Sequence, residues 1–188
     1  MKKFAKIIRV ITVAPVFALI LVTVLNFTNK AFLGYNFYIV LFALVLLPLL
    51  AYPIQDKFKI IKGDKRSSER KLAIIFSVIG YVLGFVSSLV FPSSALDKIV
   101  YLTYLLSGSL IYLFTFLIKV NASGHMCGVT GPIAVLIYVF GPWYLFIAIV
   151  LLLVIWSSLH LKRHKIVELI IGTIIPILAL IISVLIFL

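Results

Sequence analysis

Acidic side chains are scarce in this chain: five Asp and Glu in 188 residues, against seventeen Lys and Arg. A divalent-metal site needs several carboxylate or imidazole donors converging on one ion. So few carboxylates argue against one, and no metal or other cofactor is expected. There is one cysteine, Cys127, which excludes a disulfide within the chain. Charged residues make up only 12% of the sequence, about half the usual share. The formal charge of +12 therefore has no soluble domain to sit on. It points to a membrane surface and anionic headgroups rather than to nucleic acid.

What fills the chain instead is hydrocarbon: 64% hydrophobic residues, with a mean hydropathy of +1.30. Uncharged apolar runs of about 18 residues or more read as membrane helices. Such runs cover residues 10–29, 31–55, 72–96, 99–118 and 120–161, and Glu168 is the only charge from 166 to 188. The first run follows Lys2, Lys3, Lys6 and Arg9. It is longer than a signal-peptide core and has no small-x-small cleavage site, so it reads as a retained span. The expected fold is all-α: a polytopic membrane helical bundle of about six or seven transmembrane helices, one domain over residues 1–188. No internal repeat is evident. Gly80-x3-Gly84 fits close helix packing within the bundle, and no oligomeric state is drawn from it. The sequons at Asn26 and Asn121 lie too close to the bilayer to be read as modified.

The uncharged stretch 126–157 is too long for one crossing. A single helix over it would run about 48 Å at 1.5 Å per residue, against a hydrocarbon core of about 30 Å. Gly141-Pro142 stands in its middle, and such a pair breaks a helix. The expected structure is a tight hairpin, 124–140 out and 143–158 back; the rival is a single span over about 133–156. With the hairpin, fifteen of the seventeen basic residues share one face, leaving Lys30 and Lys98 opposite. The positive-inside rule favours that partition and makes the basic face cytoplasmic, together with the N-terminus.

Three polar pieces lie on that face. The first runs from Lys62 through Lys65 and Arg66 to Arg70-Lys71. The second is Ser123-Gly124-His125, and the third is Ser157-Ser158-x5-His164-x3-Glu168. Their order and spacing resemble the type 2 phosphatidic acid phosphatase family (lipid phosphate phosphatases and haloperoxidase-like proteins). That family's pattern is K-x6-R-P, then P-S-G-H, then S-R-x5-H-x3-D. The resemblance covers about residues 57–172. The chain departs from the pattern at Lys71 and Ala122, where prolines are expected, and at Ser158, where the third motif has arginine. Lys62 is also one residue too far from Arg70, although Lys59 and Arg66 keep the K-x6-R spacing. Glu168 replaces aspartate conservatively.

The chemistry of these residues is coherent on its own. A phosphate monoester carries up to two negative charges, so its site needs cations and backbone N–H donors. Lys62, Lys65, Arg66, Arg70 and Arg163 can supply charge. The Ser123-Gly124 amides, opening a helix, can supply donors. His164 and Glu168, four apart, share one helical face. The carboxylate can then hold one ring nitrogen and leave the other free to attack. The resemblance implies that His164 is a nucleophile forming a phosphohistidine, and that His125 protonates the leaving alkoxide. The expected function is a membrane phosphatase acting on a lipid phosphate or polyprenyl (pyro)phosphate. The alternative is a non-catalytic relative that binds or translocates such a lipid, and an unrelated transporter ranks third. His160 reads as an interfacial headgroup contact.

Overall fold

The computed structural model describes residues 1–29, 31–32 and 34–188. Lys30, one of the two basic residues assigned to the opposite face, lies outside the described residues. Among those described the chain is helical throughout, with no strand: α1 (Lys2–Ile11), α2 (Ala14–Asn29), α3 (Tyr35–Phe58), α4 (Lys65–Val90), α5 (Ala95–Phe116), α6 (Gly124–Phe140), α7 (Pro142–His160) and α8 (Ile166–Phe187). Helices α3, α4, α5, α7 and α8 are each long and apolar enough to cross a membrane, and the bent pair α1–α2 is a sixth candidate. The large apolar residues exposed along them, such as Leu83, Leu89, Leu152 and Ile181, are what a lipid-facing surface requires. The protein is a membrane helical bundle.

Sequence chemistry sets the breaks. The run expected as one span over 9–28 bends by 41° between α1 and α2. Pro15 has no N–H to give and its ring crowds the carbonyl of Ile11, while the Thr12 hydroxyl donates to the Ile8 carbonyl at 2.7 Å. Helix α1 is amphipathic: Lys2, Lys3 and Lys6 are exposed, while Ala5 and Ile8 are buried. Phe4 packs near Trp156 of α7, ring centroids 6.0 Å apart. In α3, Pro48 cannot bond back to Leu44, and the helix widens into a π turn over Phe42–Leu46 just before it. Helix α5 opens with a reciprocal capping box between Ser94 and Asp97.

The hairpin is present. Gly141 takes φ +89°, a left-handed conformation that glycine adopts without a Cβ penalty, and Pro142 starts the return. Helix α7 begins as a 3₁₀ segment, Pro142–Ala148, before becoming α-helical. The connection therefore folds back within two residues, and the starts of α6 and α8 lie at the same end of the bundle. Gly80 and Gly84, expected to aid packing, do so inside the chain. A Cβ on Gly80 would collide with the Ala43 carbonyl of α3, and one on Gly84 with the Tyr101 ring of α5.

Candidate active site

Glu168 lies in the first turn of α8. Its Oε2 accepts from His164 Nδ1 at 2.7 Å and from the Lys165 amide at 3.3 Å. A carboxylate can only accept, so Nδ1 carries the proton and Nε2 keeps its lone pair. The turn that delivers His164 is made by Lys162, at φ +51°, and by the Arg163 amide donating to the Ser158 carbonyl. The His164 side chain is only 6% exposed. Burial, the dominant effect, holds its pKa below the ordinary histidine value, with Arg70 and Arg9 acting in the same direction. Glu168 opposes the shift through its hydrogen bond and charge. The favoured species is a neutral imidazole with a free, oriented Nε2.

The second histidine is fixed to the same body. Ser123 caps α6 by accepting from the Met126 amide at 3.2 Å, and its own amide donates to the Glu168 carbonyl at 2.9 Å. Gly172 makes this approach possible, because a Cβ there would sit 2.5 Å from the Ser123 carbonyl oxygen. His125 follows in the first turn of α6, with Nε2 2.9 Å from Thr12 Oγ1. The single hydroxyl proton of Thr12 goes to the Ile8 carbonyl, so Nε2 is the nitrogen that donates across this contact.

The cations divide into distinct groups. Arg66 and Arg70, one turn apart on α4, line the cavity beside His125 and His164. Arg70 also donates to Asn121 Oδ1 at 3.1 Å and to the Ala122 carbonyl at 2.8 Å, holding the loop before α6. Lys65 points elsewhere, pairing with Asp56 at 2.6 Å and lying 3.8 Å from Glu69. Lys62 is exposed in the loop that Gln55 closes on Ile61, outside the cavity. Arg163 is half-buried and within electrostatic reach of Arg66 and Arg9. The Ser123 amide donates to the Glu168 carbonyl and Ser123 lies outside the cavity lining, whereas Gly124 lines the cavity. His160 stacks on Trp156 at 5.2 Å, away from the cavity.

The residue that motif reading missed is Arg9. Its Nη1 donates to Ser158 Oγ at 2.8 Å, which sets a guanidinium beside Ser158. Arg9 lines the same cavity as the two histidines. Among the described residues no carboxylate lies within 4.0 Å of Arg9, Arg66, Arg70 or Arg163. Thr12 was missed as well. Neither carries a local signal, since their partners lie 149 and 113 residues away.

These groups border a cavity of about 340 Å³ that continues into the bundle between α3, α4, α5 and α6, past Leu44, Ile74 and Tyr81. It has a cationic, imidazole-lined end and an apolar body, the form of a site for an amphiphile with an anionic head. Among the described residues no group of three or more His, Cys, Asp or Glu is placed to hold a metal ion. Comparison with known protein families, curated proteins and solved structures finds no match.

Proposed function

We propose that this protein is a membrane phosphatase that hydrolyses a lipid phosphate through a phosphohistidine on His164, as the resemblance to the type 2 phosphatidic acid phosphatases implies. The observation that carries the reading is the meeting of Arg9, Arg66 and Arg70 with His125 and His164 on one cavity, where positive charge outnumbers the single lining carboxylate, Glu69, and no carboxylate lies within 4.0 Å of the arginines. Guanidiniums gathered in a partly buried site repel one another; a phosphate dianion offsets that charge and accepts from several guanidinium donors at once. His164 Nε2 attacks phosphorus, the P–O bond to the lipid breaks, and His125 gives a proton to the leaving alkoxide. The arriving dianion favours the imidazolium form of His125 that this step needs. Water then attacks the phosphohistidine, with His125 taking its proton, and inorganic phosphate leaves. The positive-inside rule, applied to the basic charge partition, supports a cytoplasmic position for the cationic end of the cavity and the N-terminus.

The test is phosphate release in detergent from phosphatidic acid and from an isoprenyl diphosphate. His164→Ala must abolish release from every substrate the wild type cleaves; full activity in that variant overturns the mechanism. A second reading, a non-catalytic lipid-phosphate binder or translocator, is favoured by the engagement of Arg70 with residues 121 and 122. It predicts lipid retention with no phosphate released.

A further inference from the structure

Three stripes run along α1, and the catalytic reading uses only part of one. Ala5, Ile8 and Thr12, spaced three and four apart, are buried against the bundle. Phe4, Ile7 and Ile11 form a second stripe that stays 59%, 56% and 59% exposed. Lys2, Lys6 and Arg9 form the third, with Lys3 beside it; the lysines are exposed and Arg9 lines the cavity. An exposed apolar stripe next to a cationic one is the pattern of a helix seated at a bilayer surface. The contacts of α1 give its depth. Phe4 packs near Trp156 and Arg9 bonds to Ser158, six and four residues before Lys162. At 1.5 Å per residue that is about 9 and 6 Å below the charged turn, within reach of snorkelling lysines. No acidic residue precedes Asp56, and among the described residues no carboxylate lies within 4.0 Å of Lys2, Lys3 or Lys6. The other basic segment, 57–71, is interleaved with Asp64 and Glu69, and its Lys65 pairs with Asp56.

We propose that the lysine stripe of α1 binds anionic phosphodiester lipids of the surrounding bilayer, distinct from any substrate, and that these lipids seat Arg9 and Thr12 at the site. The first half stands without the phosphatase reading; the second rests on it. Lipid phosphates supply negative charge at the level of the lysines, and the apolar stripe beside them lies among the acyl chains. The bundle alone holds α1 by little, since Ala5 and Ile8 are its only buried apolar side chains. Attraction to the surface therefore has leverage over where the helix sits. Its far end carries that position inward: Arg9 donates to Ser158, and Thr12 contacts His125 Nε2. The charge of the neighbouring lipid thereby reaches both the anion holder and the second imidazole.

The experiment uses the purified full chain and phosphatidylglycerol as the anionic lipid. Native mass spectrometry measures its affinity, and nanodiscs of phosphatidylcholine with and without it measure kcat on p-nitrophenyl phosphate, a soluble substrate that the bilayer does not concentrate. Each lysine near an anionic surface strengthens attraction about fivefold. Lys2/Lys3/Lys6→Gln is therefore expected to lose affinity on the order of 100-fold, and Lys2/Lys3/Lys6→Arg to keep it. Lys57/Lys59/Lys71→Gln removes the same charge from the loop and should lose less than about fivefold. Wild-type kcat should rise roughly tenfold with phosphatidylglycerol, within the worth of one charge-assisted contact, while the α1 glutamine variant stays flat. Equal losses in the two glutamine variants, or none in the α1 variant, overturn the lipid surface. Binding without a change in kcat overturns the coupling to the site. Nitroxide labels check the seat of the helix without removing its charge as a block. In a Cys127→Ser background, a label at Ile7→Cys should meet oxygen in the acyl region, and one at Lys6→Cys a water-soluble nickel chelate; both labels in water overturn the surface. If no phosphate is released from any substrate, the phosphatase reading fails, and affinity and label depth alone decide the lipid surface.

Discussion

Arg9 and Ser158 meet across 2.8 Å, a guanidinium of α1 on the hydroxyl of α7. If this contact holds the phosphate-binding arginine in place, charge on either helix should serve. Arg9→Ala is expected to lower kcat/KM by roughly 10- to 100-fold, the worth of a charge-assisted hydrogen bond. Arg9→Ala/Ser158→Arg should regain much of the loss, and Arg9→Lys less, because a lysine lacks the planar fork. Steady-state phosphate release measures all three; a double variant no better than Arg9→Ala refutes the exchange.

The two histidines should separate by leaving group. His125→Ala is expected to lose about 10²-fold or more on an alkyl phosphate, where general acid catalysis matters. On p-nitrophenyl phosphate, whose leaving group needs no proton, it should lose less than tenfold. His164→Ala should be inactive on both. Equal losses for His125→Ala on the two substrates would remove its role as acid.

Acid dependence follows from His164. Its folded pKa is depressed by burial, so the reactive neutral form persists below the ordinary histidine value of about 6.5. The acid limb of kcat/KM is expected below pH 6.5. Glu168 opposes the depression, so Glu168→Gln should move that limb to lower pH while reducing the maximal rate. For stability, the unfolded chain takes up the proton first as pH falls. The imidazole therefore lowers stability progressively from its unfolded pKa down to its folded pKa. A limb above pH 7 in the wild type would count against His164 as the nucleophile.

Gly172 tests the scaffold. Gly172→Val drives a side chain into the Ser123 carbonyl and the Met126 side chain. Overpacking of this kind typically costs about 1–3 kcal/mol, and here it also parts α8 from the start of α6. The melting temperature and the phosphatase rate should fall together. Retained activity in a destabilised protein would mean that the two helix starts need not touch.

Sidedness is open to labelling. In a Cys127→Ser background, cysteines placed at Lys62 and Lys162 should react with an impermeant thiol reagent only from the cytoplasmic side, and one at Ser93 only from the other. Labelling of positions 62 and 162 from opposite sides would contradict the arrangement.

The helices and the hairpin were legible because their causes are local: uncharged runs long enough to cross, and a Gly-Pro pair too disruptive to sit inside a helix. His164 and Glu168 were legible because helical spacing alone puts them on one face. The cation cluster was not. Seven basic residues between 57 and 71 look alike until Asp64 caps α4, accepting from the Ser67 amide. That start sets the helical phase, which turns Arg66 and Arg70 toward the cavity and Lys65 toward Asp56 and Glu69. Arg9 and Thr12 were invisible for another reason. The bend before Pro15 and the docking of α1 on α7 decide their position, and both depend on parts of the chain far away in sequence.

The Ser123–Glu168 bond and the bare Cα of Gly172 fasten the two imidazoles to one rigid piece, while Arg9 arrives on a separate helix. Thr12, which ends the same helix three residues after Arg9, holds the His125 ring, so any shift of α1 carries the guanidinium and the second imidazole together.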